Sequence, residues 1–307
     1  MRSVTMGVLV GLFFATLVVV ASQKEYELKL KFEKDSKAYY KCSGKNMRKT
    51  VGGDEDGQQD SIIEHEVKDV SQDGTATLDM KILKLVFKSS KGEYDSEKGK
   101  KTLPKERVEM FDALLEKQLK AKVTPDGEVK ETEGEKEIAE AIIKGMGDNQ
   151  MLKMMPKETV QKMVEDSIKT SFGLLFFAFL PKKKVAIGDT WTFEQKQPMV
   201  NLIWEAKLKS VKKSGGKELA AIEFVLKDVV LETTDNNPMV AALEVEKNYK
   251  GGGKAEFNIT DGKTVSVEMN HQYAIKNKIT NGPAMETNDS VKAELLKEPP
   301  KIGKQDK

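Results

Sequence analysis

The side chains best able to do chemistry in this sequence are two histidines, His65 and His271, and one cysteine, Cys42. Glu64-His65-Glu66-Val67-Lys68-Asp69 begins like H-E-x-x-H, in which two imidazoles one helical turn apart share a zinc ion and the glutamate acts as base. Asp69 stands where the second histidine is required. The alternation around it is that of a strand, on which positions 65 and 69 are about 13 Å apart, too far to share one ion. The run therefore reads as a solvated strand face. No G-x-S-x-G elbow is present, and the two histidines build no Ser-His-Asp arrangement that spacing supports. Nothing beside Cys42 would depress a thiol pKa, so it reads as a half-buried inert thiol on a strand, with an intermolecular disulfide as the alternative. Gly251-Gly252-Gly253-Lys254 lacks the G-x-x-x-x-G-K-[ST] spacing of a phosphate loop and opens a strand instead of a helix, so it reads as a flexible hairpin lead-in. No catalytic residue, metal site or cofactor is assigned, and the chain is expected not to be an enzyme.

What stands out instead is apolar. Phe172, Leu175, Phe176 and Phe179, with Met163 one stripe earlier, fall at helical spacing, and Gly173, Leu174 and Phe177 make the end of that helix apolar nearly all round. Such a helix is buried on several sides or meets lipid, and its length is short of the roughly 20 residues of a membrane span. Lys182-Lys183-Lys184 follow directly, so 172–184 is a candidate membrane-touching tip. Met163, Phe172, Leu175, Phe176 and Phe179 are the candidate ligand-binding residues. Met146, Met151, Met154 and Met155 precede them, and methionine suits an adaptable apolar surface.

Period-two alternation from Tyr26 onward calls for antiparallel strands wet on one face. Strands are expected at Glu27–Phe32, in a long hairpin over 62–88 turning on Ser71-Gln72-Asp73-Gly74, and in a short one over 118–133 turning on Asp126-Gly127. Pro104 opens a helix carrying Val108, Phe111, Leu114, Leu115 and Leu119. A helical insert fills 134–180, and β pattern resumes after Pro181 to about 296. The last residues, 297–307, read as a disordered tail.

The two β-rich parts echo each other. Asp35 before Tyr39-Tyr40 is answered by Asp189 before Trp191, the long hairpin by 202–232 on Ser214-Gly215-Gly216, and the Asp126-Gly127 hairpin by 254–269 on Asp261-Gly262. The fold class is therefore α+β, mainly antiparallel β: a pseudo-repeated curved sheet or open barrel with a helical insert. One domain over 22–296 is expected, from similar halves at about 25–133 and 181–296.

Gly188-Asp189-Thr190-Trp191, the preceding Phe179-Leu180-Pro181 and Val123-Thr124-Pro125-Asp126-Gly127-Glu128-Val129 resemble an uncharacterised family, a domain of unknown function, in exported β-rich bacterial proteins of planctomycete type. The likeness covers roughly 25–296 and implies export and a β-rich domain, with no activity to transfer. Phe172–Leu180 is more apolar than the resemblance implies.

Export is also read from the first residues. Arg2, the apolar run Met6–Val20 and the Val19-x-Ala21 cleavage pattern make 1–21 a signal peptide, placing the mature protein in the periplasm or outside the cell. An uncleaved anchor is the alternative. Fifty-one basic and 49 acidic residues give a net charge of +2, and the two signs alternate along most segments. This is a mixed lysine and glutamate surface without the clustered basic face of a nucleic-acid binder. The function expected is binding of a hydrophobic or lipid-like small molecule in a groove closed by a 156–180 helix. The alternative is a structural or interaction protein of the cell envelope, whose partner is another protein.

Overall fold

A computed structural model describes residues 24–50, 53–145, part of 158–168, 176–197, 199–231, 242–280 and 282–301. The elements are β1 (Glu25–Tyr26), β2 (Lys37–Thr50), β3 (Gly53–Val70), β4 (Ala76–Ser89), β5 (Gly92–Asp95), β6 (Lys100–Lys101), α1 (Lys105–Glu116), β7 (Gln118–Val123), β8 (Val129–Glu133) and α2 (Glu135–Gly145). They continue as β9 (Val185–Ala186), β10 (Thr190–Lys196), β11 (Val200–Ser214), β12 (Lys217–Leu231), β13 (Leu243–Val245), β14 (Lys250–Asn258), β15 (Lys263–Asn277) and β16 (Pro283–Leu295). Helical residues also occur within 158–168.

Turn chemistry sets the hairpins. Gly74, Gly127 and Gly262 hold positive φ where the sequence places Gly in its turns, and Gly215-Gly216 supply both positive-φ positions of the β11–β12 turn. The strands pair antiparallel in the order β2-β3-β4-β7-β8 and, in the second half, β10-β11-β12-β14-β15. These are two meanders of the same order. β16 lies between β15 and β2 and joins them into one sheet, which stays open and curved.

One face of this sheet is core. Leu208, Ile222, Ala255, Val267, Ala293 and Cys42 are successive partners across six strands, and all are buried. The opposite face carries directly opposed ion pairs such as Lys254–Glu268, Lys122–Glu131 and Lys49–Glu286. Exposed pairs of this kind contribute little stability but keep the face soluble. A bulge in β4 at Leu83 shifts its alternation, so Leu85 and Phe87 continue the inward side begun by Leu78 and Met80. There Leu85, Phe87, Tyr94 and Leu103 form a second apolar cluster closed by Phe111 of α1.

Phe176, Phe177, Phe179 and Leu180 fill the concave face beside both meanders. Phe176 is helical and the chain then turns, with Leu180 N–H donating to Phe177 O at 3.2 Å before Pro181. Two hydrogen bonds and one close backbone approach pin this plug. Thr264 Oγ1 donates to Phe176 O at 2.5 Å, and the Trp191 indole donates to Phe179 O at 2.8 Å. Gly127 sits against Phe177 O, where a Cβ would lie 2.3 Å away.

Several expectations are corrected. Glu27–Phe32 forms no ladder strand; it is an extended strap whose Leu28 and Leu30 are buried. Its Leu30 N–H donates to Pro125 O at 2.8 Å and its Lys31 N–H to Gly262 O at 3.1 Å, so the alternation is real while its partners are the two Asp-Gly turns. His65 is not on a solvated face, because its strand position points into the aromatic plug. Cys42 is fully buried, and Gly251–Gly253 lie within β14 instead of leading into it. Residues 297–301 have no regular secondary structure; the rest of the expected tail, 302–307, and the signal peptide, 1–21, lie outside the described residues. Among the described residues no helix is long and apolar enough to cross a membrane.

Candidate functional site

Of the residues singled out for ligand binding, Phe176 and Phe179 are completely buried, while Met163, Phe172 and Leu175 lie outside the described residues. Phe176 packs on Tyr40 at 4.6 Å and edge-on to His65 at 4.5 Å, and Phe179 meets Phe224 at 5.5 Å. The surfaces of these two rings are spent on protein contacts, which makes both of them core. His65 is 4% exposed, and burial lowers its pKa to about 3, so the ring is neutral. Its Nε2 has no hydrogen-bond partner among the described residues, enclosed by Tyr40, Phe176 and Phe177. Burial likewise pushes the Cys42 thiol up to about 12, which makes it inert as a nucleophile.

A second histidine has a different setting. His271 on β15 stands opposite Asp289 on β16, which stands opposite Asn46 on β2, which stands opposite Gly57 on β3. At strand spacings of about 4.8 Å this row crosses about 14 Å of the concave face. Asn46 lies six residues along β2 from Tyr40, about 20 Å from the aromatic plug. Arg48 extends over the same patch, its guanidinium 3.8 Å from Asp289 Oδ2.

The hydrogen bonds fix the roles. Tyr273 O–H donates to Gln197 Oε1 at 3.1 Å, which orients that amide so that its Nε2, 3.3 Å from His271 Nε2, donates to the ring. His271 Nε2 is then an acceptor, the neutral tautomer with its proton on Nδ1, and it cannot donate to Asp289 Oδ2 at 3.6 Å. Burial, and after it the Arg48 charge, lowers the His271 pKa to about 4. Burial raises the Asp289 carboxyl, against a downward pull from Arg48. Trp204 and Tyr273 wall the ring, at 6.3 and 5.9 Å.

Two atoms of this patch are left over. Arg48 Nε and Asp289 Oδ1 are shielded from solvent with no hydrogen-bond partner among the described residues. Yet the patch is not sealed, since the Arg48 side chain is 43% exposed and that of Asp289 17%. The exposed parts of these two side chains, and not the two shielded atoms, are what an incoming polar group meets. Beside the patch lies a cavity of about 90 Å³. Its apolar side is Phe87 and Leu103 and its rim carries Asn46, Glu55, Asp56, Lys91 and Arg107. Among the described residues no group of three or more metal-ligating side chains is assembled.

Residues 73–219 match a family of unknown function, DUF6263. The matched span runs from the β3–β4 turn to the start of β12, so it holds α1, α2 and the aromatic plug and leaves Arg48, His271 and Asp289 outside it. No curated protein matches the sequence. Solved structures that resemble the chain include the following two. DynF from the dynemicin biosynthesis pathway of Micromonospora chersina is 5% identical over 90% of this chain and 85% of its own, with a TM-score of 0.20. A putative exported protein with a YmcC-like fold from Bacteroides fragilis is 8% identical over 88% of this chain and 97% of its own, with a TM-score of 0.26.

The patch was not legible as a site in the sequence, because its members come from positions as far apart as Arg48 and Asp289. One signal was available. Arg48 shares parity with Tyr40 and Cys42, and Asp289 with Val291 and Ala293, so each is a charge placed on the inward side of an otherwise apolar strand face.

Proposed function

We propose that this protein is an exported binding module that holds an amphipathic ligand on its concave face and does not transform it. The observation that carries this reading is the half-exposed Arg48 side chain beside the Asp289 carboxylate, next to a cavity walled by Phe87 and Leu103. The polar group of the ligand meets the exposed Arg48 guanidinium and Asp289 carboxylate, and its apolar part lies over Phe87 and Leu103.

Binding is favoured over catalysis by the state of the groups present. A general base works best with a pKa near the operating pH, and burial holds His271 far below it. Cys42 is buried with a raised pKa, so no activated nucleophile adjoins the patch. Export rests on the amino-terminal run Arg2 to Ala21.

The test is native mass spectrometry of the mature protein after mild extraction from its host, compared with the same sample after denaturation. A stoichiometric small molecule released on unfolding, and lost from an Arg48→Ala, Asp289→Ala double variant that keeps its β circular dichroism, is the expected result. A clean apo mass, together with no uptake of added long-chain amphiphiles, would falsify the reading.

A further inference from the structure

We infer that the head of the ligand is an oxyanion, a carboxylate or a phosphate, anchored by the guanidinium of Arg107 at the rim of the cavity. The inference rests on the binding role proposed above and deepens it, adding Arg107 to the groups that meet the head. Three observations carry it.

The first is the choice of residue. Arginine occurs in this sequence only as Arg2, Arg48 and Arg107, and every other basic residue is a lysine. Past the amino-terminal run two arginines remain, and the fold brings both to one place. Arg107 lines the cavity, and Arg48 stands directly opposite Glu55, which lines it too. A lysine carries the same charge as a compact point, whereas a guanidinium presents a planar fork that matches two oxygens of a carboxylate or phosphate. Lysine meets the needs of solubility everywhere else on this surface, so solubility does not account for arginine at these two positions.

The second is that Arg107 has no carboxylate of its own. On α1, Glu109 pairs with Lys144 and Asp112 with Lys101, each at 2.8 Å. The residues one turn from Arg107 are Leu103, Pro104, Met110 and Phe111, none of them acidic. Among the described residues Arg107 stands in no ion pair. The acids that line the cavity are engaged elsewhere. Asp56 accepts from the Ser90 backbone N–H at 3.2 Å and has Lys91 beside it, and Glu55 faces Arg48 across the ladder. Arg48 in turn has Asp289 at 3.8 Å. The guanidinium left without a counter-charge is that of Arg107.

The third is the setting. α1 begins at this cavity: Pro104 lines it and no side chain caps the first turn, so the positive end of the helix adds to the field of Arg107. Glu106, in the same turn, does not line the cavity. Phe87 and Leu103 give the apolar wall. The cavity of about 90 Å³ is smaller than the ~150 Å³ that accommodates benzene in an engineered protein core. It seats a few methylenes and leaves the head at the rim.

Four probes with one dodecyl-length tail test this at pH 7: dodecanoate, dodecyl phosphate, 1-monododecanoylglycerol and dodecyltrimethylammonium, titrated calorimetrically against the mature protein below their aggregation limits. Dodecanoate, dodecyl phosphate or both are expected to bind at least about tenfold more tightly than the neutral and cationic probes. The tighter of the two tells a carboxylate ligand from a phosphate one. Arg107→Lys keeps the charge and removes the fork, and it is expected to weaken the anions at least about fivefold while the neutral probe and the β circular dichroism stay unchanged. Glu55→Gln removes the neighbouring carboxylate and is expected to strengthen the anions several-fold, a gain that misfolding cannot imitate. A neutral probe bound as tightly as the anions, anion affinity unchanged in Arg107→Lys, or no gain in Glu55→Gln overturns the oxyanion inference and leaves the binding role standing. Binding of none of the four overturns both.

Discussion

His65 and His271 are buried neutral rings, and that has a measurable consequence at the scale of single residues. Folding lowers each pKa, to about 3 and about 4, whereas the unfolded chain titrates near the ordinary value of about 6.5. The unfolded state therefore binds more protons below that value. Stability is complete above about pH 6.5 and falls as pH drops toward the folded values, by up to about 1.4 kcal/mol per pH unit for each ring. Urea unfolding between pH 6.5 and 5, above the range of ordinary carboxylates, measures this slope. A His65→Phe variant is expected to lose about half of it and to be at least as stable as the parent at pH 7, because the orphaned Nε2 disappears from an aromatic cage. An unchanged slope would mean that His65 is not buried as a neutral ring. His65 also shows where local reading fails. Its alternation identified a strand correctly, and the Glu64 and Glu66 beside it suggested a wet face, but parity makes neighbours in sequence point to opposite sides.

At the scale of elements, the hairpins follow from their turns. Asp-Gly and Gly-Gly turns stand where the sequence placed them, because positive φ is available to glycine without strain and to little else. Their tertiary duties differ, however. Gly127 has φ 81° and meets Phe177 O, whereas Gly215 has φ 56° and no atom within 4 Å of its absent Cβ. Gly215→Ala is expected to cost about 1 kcal/mol, the strain of a left-handed alanine alone. Gly127→Ala is expected to cost clearly more, since the Phe177 backbone of the plug must shift as well. Chemical denaturation of the two variants side by side gives the difference, and equal losses would detach the plug from the turn. The strap, 27–33, follows the same logic: its apolar positions were legible, but its hydrogen-bond partners, Pro125 and Gly262, belong to the two separate meanders.

For the whole molecule, one apolar core runs under both meanders and the plug, from Leu78 and Val123 through Ala293 to Leu202 and Phe224. β16 ties the meanders by paired ladders on both its sides. Unfolding is therefore expected to be one cooperative transition despite the repeated strand order. Both tryptophans, Trp191 and Trp204, lie in the second meander, so their fluorescence reports that half while far-ultraviolet circular dichroism reports both. Coincident midpoints support a single unit; a tryptophan transition separated from the circular dichroism one would show halves that unfold independently.

The sequence by itself determined the class of fold, the strands, the hairpin turns, α1 and the presence of an apolar segment before Pro181, because these depend on contacts within a few residues and on side-chain periods of 2 and 3.6. It also carried the repeat, since like turns in like order build like meanders. Only the tertiary structure decided that Phe176 and Phe179 are plug and not ligand wall, and that Arg48, Asp289 and His271 form a patch. Those outcomes depend on which strands lie side by side, and β2 meets β16 across more than two hundred residues of chain. Pairing at that distance is set by the summed burial of a whole face, to which no local stretch of sequence bears witness.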